Sequence, residues 1–153
     1  MSAWDFAVDL YGRPGVATVC LALQDDHGQC VPLLLWRLWA AAGGRPVAAG
    51  VLRGAVDLAR GWDGEVVARL RSVRRALKSP PDGVGTQWRL GVRESVETAE
   101  RAAERALLVA LEGLTPPSAG ALEDPASALR EVATAWGGSV RDDLLFRLAA
   151  ASG

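Results

Sequence analysis

The residues best equipped for chemistry gather at one short polar turn. Asp25, Asp26 and His27 stand in succession, Gly28 closes the turn, and Cys20 and Cys30 flank it. Carboxylate, imidazole and thiolate donors at this density suit a divalent ion, and a carboxylate beside an imidazole suits acid–base work. The spacing nevertheless matches no zinc pattern, because His27 is the single histidine and no CxxC pair exists. Acidic residues followed by glycine after an apolar run also describe a solvated helix end. The metal-binding reading therefore narrows to Asp25 and His27, and the first role expected of Asp25 is to cap a neighbouring helix.

A second polar feature is a basic stripe. Arg71, Arg74, Arg75 and Lys78 recur at i, i+3, i+4 and i+7, a single helical face able to meet phosphates or an acidic partner. Glu94, Glu97, Glu100 and Glu104 follow at matching spacing. An antiparallel hairpin would bring the two sets together, so ion pairing within the chain competes with nucleic-acid binding. No aromatic residues interleave the basic ones, which also disfavours single-strand binding. Of the six tryptophans, Trp4, Trp36, Trp39, Trp62 and Trp136 fall on apolar helical stripes. Trp88 follows a polar loop and reads as an exposed anchor for a partner. Phosphate-binding, dinucleotide, nucleophile-elbow and zinc-protease motifs are all missing, so no catalytic residue and no cofactor are predicted.

The elements that must position these groups read as helices throughout. Ser2 and Asp5 form a capping box, and Trp4, Ala7, Val8 and Tyr11 then make one apolar face. Pro14 opens a second helix carrying Val16, Val19, Cys20 and Leu23, which Gly28 ends. Residues 33–39 are apolar nearly all round, interrupted only by Arg37, as befits a central helix. Val47, Val51, Ala55, Leu58 and Trp62 mark a fourth helix, in which Gly50, Gly54 and Gly61 allow close packing or a bend. Val66, Leu70, Val73 and Leu77 form the expected buried stripe of the next. Residues 79–87 make the clearest loop, and a long helix over 90–114 turns Val96, Ala99, Ala103, Leu107 and Leu111 inward. Residues 115–124 form a linker. Two shorter helices finish the chain, the first starting at Pro125 and the second at a capping box of Ser139 and Asp142. The prediction is an all-α, compact single-domain bundle of about six or seven helices. Residues 1–114 form its core, and 115–153 are a linker and helical extension packed on the same domain.

Composition narrows the class further. Half of the 153 residues are apolar and 23% are charged, which suits a folded domain with a real core. The net charge of −1 exerts no general pull on nucleic acid or anionic membranes. The chain has no Ile or Asn and a single lysine against sixteen arginines. A GC-rich bacterial genome accounts for that skew without guanidinium chemistry. Two cysteines make no disulfide framework. Neither a signal peptide nor an apolar run of membrane-spanning length is visible, so the cytoplasm is the expected compartment.

The blocks WDFAVDLYGRPGV, CLALQDDHG, LLLWRLW, GEVVARLRSVRRALK and AERAAERALLVALEGL, in that order, resemble the uncharacterised bacterial family DUF2390 over residues 4–114. The family's LQD-type turn corresponds to Leu23-Gln24-Asp25. Ala68 and Arg69 stand where Gly-Pro is frequent, Ala102 replaces an acidic residue, and Pro32 replaces a polar one. The resemblance implies a helical fold and no activity, cofactor or catalytic residue. The leading expectation is a non-enzymatic interaction or scaffolding module, with an unknown protein or a second copy as partner. Trp88, Arg71, Arg74 and Arg75 are its candidate partner-binding residues. The alternative is a metal- or small-molecule-binding helical protein, and so an enzyme candidate, centred on Asp25 and His27 with Arg71 or Glu104 nearby. Weak nucleic-acid binding through the basic stripe comes third.

Overall fold

A computed structural model describes residues 1–79 and 83–153, and among them every regular element is helical. The order is α1 (Ala3–Tyr11), α2 (Val16–Asp25), α3 (Val31–Ala42), α4 (Ala49–Trp62), α5 (Ala68–Ala76), α6 (Thr86–Leu114), α7 (Pro125–Trp136) and α8 (Asp142–Ser152). A single π-helical turn, Asp63–Val67, joins α4 to α5, so these two form one continuous rod and the all-α bundle has seven rods. Residues 80–82 of the expected loop lie outside the described residues. The long helix starts at Thr86, four residues before the sequence suggests.

The bundle is organised by α3. Its apolar surface is buried on all sides, with Trp36 fully enclosed, and it packs against α1, α6 and α7. Fully burying side chains of this size contributes about 1.5–3 kcal/mol each, so this helix supplies much of the hydrophobic drive. Two polar tethers fasten the linker after α6 to it. Trp36 Nε1 donates to Thr115 Oγ1 at 2.8 Å, and Arg37, 1% exposed, meets Glu123 at 2.5 Å and Glu131 at 2.8 Å. The Ala119 amide also donates to the Gly44 carbonyl at 2.8 Å. In turn α7 lies on α3, and α8 packs on α7 and α2.

Local signals explain the helix ends. Ser2 Oγ accepts from the Asp5 amide and donates to the Asp5 carboxylate, as expected of the first cap. At the end of α2 the Gln29 amide reaches back to the Leu23 carbonyl at 2.9 Å, and Gly28 takes the left-handed conformation that this closure requires. The cap expected from Ser139 and Asp142 does not form. Arg141 occupies the N-cap position without a side-chain bond to the helix amides, and the Ser139 hydroxyl turns instead to His27. The glycines of α4 seat no close neighbour, since a Cβ at Gly54 or Gly61 would meet nothing within 4 Å. Gly61 lies just before the π turn and Gly64 within it, where their low helix propensity eases the change of register.

Gly138 is the position where a side chain is least tolerable. Its φ is +75°, and a Cβ there would lie 2.7 Å from the His27 carbonyl oxygen. Gly137 has φ +99° but open space around it. Gly138→Ala is therefore expected to cost about 2–4 kcal/mol, strain plus clash, against about 1–2 kcal/mol for Gly137→Ala. Urea denaturation of the two variants measures the difference.

Two expected buried stripes are misplaced. The inward residues of α1 are Ala3, Phe6, Ala7 and Leu10, whereas Val8 and Tyr11 are exposed and Trp4 is half-buried. In α5 the inward position is Arg71, and Val73 faces solvent. On α1, Trp4, Val8 and Tyr11 border a groove at the edge of the core, and on α5 Arg71 turns in to the carboxylates of α6.

Candidate functional site

The groove runs between α1 and α2 on one side and α5 and α6 on the other, with α3 beneath it, and encloses about 680 Å³. Its apolar surface comes from Ala7, Cys20, Val31, Pro32, Leu35 and Leu108. Trp4 and Tyr11 add aromatic surface, and the outer residues Val8 and Leu21 are exposed apolar side chains. The charged side comes from α5 and α6 through Arg74, Glu97, Glu100, Arg101 and Glu104. Thus the apolar face read from Trp4, Ala7, Val8 and Tyr11 is real but lines a cleft. Helical spacing alone cannot separate a core stripe from a cleft wall.

A network of buried ion pairs stands behind the charged side. Arg71 Nε donates to Glu100 Oε1 at 3.2 Å, and Arg74 Nε donates to Glu100 Oε2 at 2.5 Å. Glu100 therefore has both oxygens engaged. Glu104 is held more loosely, with its nearest cation, Arg71 Nη2, 3.6 Å away. Burial pushes the Glu104 carboxyl above the usual range, the Glu100 carboxylate pushes it further, and Arg71 only partly offsets them. The Asp63 carboxyl, carried by the π turn, is also raised by burial against the opposing pull of Arg71. The Tyr11 phenol rises for the same first reason, with the charges of Glu104 and Asp25 adding to it and Arg71 opposing. Two carboxyls and a phenol raised above their ordinary values beside a cleft form the kind of cluster found at binding and catalytic sites. Neither cysteine contributes a reactive thiolate. Both are free and buried, and burial pushes each thiol up to about 12.

The residues proposed from the sequence are distributed differently. Asp25 ends α2 and is ion-paired with Arg75 instead of capping a neighbouring helix. His27 Nδ1 shares a hydrogen bond of 2.7 Å with Ser139 Oγ, and its Nε2 lies 3.4 Å from Arg141. Asp25 and His27 thus have separate partners, and among the described residues no three His, Cys, Asp or Glu side chains converge as a metal site. Arg71 and Arg74 turn inward to the glutamates of α6, leaving Arg75 beside Asp25. Trp88 is 73% exposed at the start of α6. No single described helix is long and apolar enough to cross a membrane, and α1 with α2, which reach that length together, meet at 105°.

Sequence reading missed Asp63 and Tyr11, assigned Glu100 to pairing with the basic stripe, and named Glu104 there and as a neighbour of the Asp25–His27 turn. One signal was available for the glutamates: Glu100 and Glu104 share a helical face with Ala103, Leu107 and Leu111, which are core residues.

The arrangement is that of an all-helical domain with an amphipathic cleft walled by a buried ion network. The family model described as "Protein of unknown function (DUF2390)" matches residues 2–111, and the chain belongs to that family. The match takes in α1 to α5 and most of α6, and so every residue of the groove. No curated protein and no solved structure matches the chain.

Proposed function

We propose that this protein is a binding module whose ligand, a small organic molecule, occupies the groove between α1, α2 and α6. The supporting observation is the groove's build: an apolar floor, two aromatic side chains, and a half-buried Glu104 whose one ion pair, to Arg71, is long at 3.6 Å. A volume of about 680 Å³ falls within the range of roughly 300–1,000 Å³ usual for small-molecule sites. This reading moves the alternative drawn from the sequence away from the Asp25–His27 turn. It attributes no reaction to the site.

The test is a fragment-library titration followed by amide chemical shifts. Hits should move the resonances of Tyr11, Cys20, Gln24 and Glu104, and Leu21→Trp, which places an indole at the mouth, should weaken them about tenfold or more. Shifts confined to other surfaces would overturn the proposal.

A second reading, partner binding, draws on α5 and the first turns of α6. There the outward residues Val73, Trp88, Leu90 and Val92 are all exposed. It predicts that Trp88→Ala weakens capture of a partner or self-association without altering the groove, as size-exclusion chromatography with light scattering or affinity isolation would register.

A further inference from the structure

We infer that the ligand of the groove is a small organic cation with an apolar body, its ammonium group seated against the Glu104 carboxylate. The inference rests on the groove being a ligand site and adds the ligand's charge. Three features of the cleft carry it.

First, the charges facing the cleft differ in availability. Glu100 already accepts from Arg71 and Arg74, Arg74 is committed to Glu100, and Glu97 is paired with Arg93 at 3.0 Å. Glu104 keeps only the distant Arg71 contact at 3.6 Å while its side chain is 29% exposed, so a ligand can reach it. Arg101, the one charged residue of the cleft in no ion pair among the described residues, is exposed. Water screens an exposed guanidinium far more than it screens a half-buried carboxylate, so a cation gains more at Glu104 than an anion gains at Arg101.

Second, acidic groups crowd Glu104, and Arg71, which is shared with Glu100, offsets them only in part. Asp63 and Glu100 act on it as like charges, and Glu104 and Asp25 act likewise on Tyr11. Third, Trp4 and Tyr11 line the same cleft, and aromatic faces attract cations. The neighbouring Arg105 already lies over the Trp4 ring, 5.5 Å from its centroid. The apolar floor of Ala7, Val31, Pro32 and Leu35 takes the uncharged part of the ligand.

The experiment compares three probes of similar apolar body, 2-phenylethylamine, 2-phenylethanol and 3-phenylpropionate, titrated at pH 7.5 and followed through the groove resonances. The amine is expected to bind at least tenfold more tightly than the alcohol, with the carboxylate weakest. Glu104→Gln keeps the side chain's shape and should abolish the amine's advantage while leaving the alcohol's affinity in place. Arg101→Gln removes positive charge from the cleft and should tighten the amine.

Equal binding of all three probes, a preference for the carboxylate, or an amine preference surviving Glu104→Gln would each overturn the charge assignment while leaving the groove as a site. Absence of any groove shift with all three probes would overturn the assignment too, and the fragment titration then decides the groove separately. Circular dichroism and the dispersed spectrum of each variant establish that it is folded.

Discussion

Removing both carboxylates that face Arg37, as Glu123→Ala with Glu131→Ala, is expected to cost about 3–5 kcal/mol of folding free energy. Arg37 sits on the most enclosed helix with its side chain 1% exposed, while its two partners are 42% and 46% exposed. The desolvation penalty therefore falls almost entirely on the arginine. Its Nε and Nη1 are buried without a partner among the described residues, so Glu123 and Glu131 are what hold the charge in place. Stripping them leaves a cation in the core. Each single substitution leaves one carboxylate behind and should cost only about 1 kcal/mol, so the pair is strongly non-additive. The reverse change behaves differently. Arg37→Met leaves two half-exposed carboxylates that water can solvate, and replacing a buried ion by a well-packed apolar chain is often close to neutral. Urea denaturation of the four variants checks this asymmetry. A double variant as stable as Arg37→Met would show that the interior near Arg37 admits water.

Only parts of this molecule are legible in its sequence. The central helix is, because an apolar surface with one break has few places to go except the middle of a bundle. Helix ends are legible where a local group closes them, as with Ser2 and Gly28. The cleft is not. Trp4, Ala7, Val8 and Tyr11 have the spacing of a core stripe, and only tertiary placement makes them a wall. α5 was inverted for an electrostatic reason: Arg71 turns inward because Glu100 and Glu104 wait there, 29 and 33 positions further along the chain. Periodicity ranks residues by hydrophobicity and so places Val73 inside. It takes no account of a long-range ion pair that makes a buried arginine tolerable. The Asp25–His27 turn drew attention through residue density, yet the two side chains diverge to different partners. Sequence proximity is a poor guide to convergence at a helix end, where successive residues point in different directions.

Glu100 and Glu104, one turn apart on α6, are expected to affect stability in opposite directions. Glu100→Ala leaves Arg71 and Arg74 without their shared acceptor in a site where their side chains are 10% and 20% exposed. The expected loss is about 3 kcal/mol, at the lower end for a broken buried pair because Arg74 is partly hydrated. Glu104→Gln should instead leave stability unchanged or raise it by up to about 1 kcal/mol at neutral pH, since a carboxylate whose burial is poorly compensated is replaced by a neutral amide. The pH dependence separates the two effects. The folded state holds the Glu104 proton more tightly than the unfolded chain does, because its carboxyl is raised above its ordinary value of 4.5. Wild-type stability from this group is therefore complete below 4.5 and declines as pH rises towards the folded value, beyond which the full cost remains. Asp63, raised in the same sense, adds to the decline in both proteins. The advantage of Glu104→Gln should consequently appear between pH 4.5 and neutrality and vanish below that window. Denaturation midpoints measured across pH 4–8 check it, and an advantage that persists at pH 4 would exclude ionisation as its source. A residue that costs stability in the free protein and anchors a cation in the bound one is the trade expected of a binding site. The variant that gains stability should be the one that loses the amine.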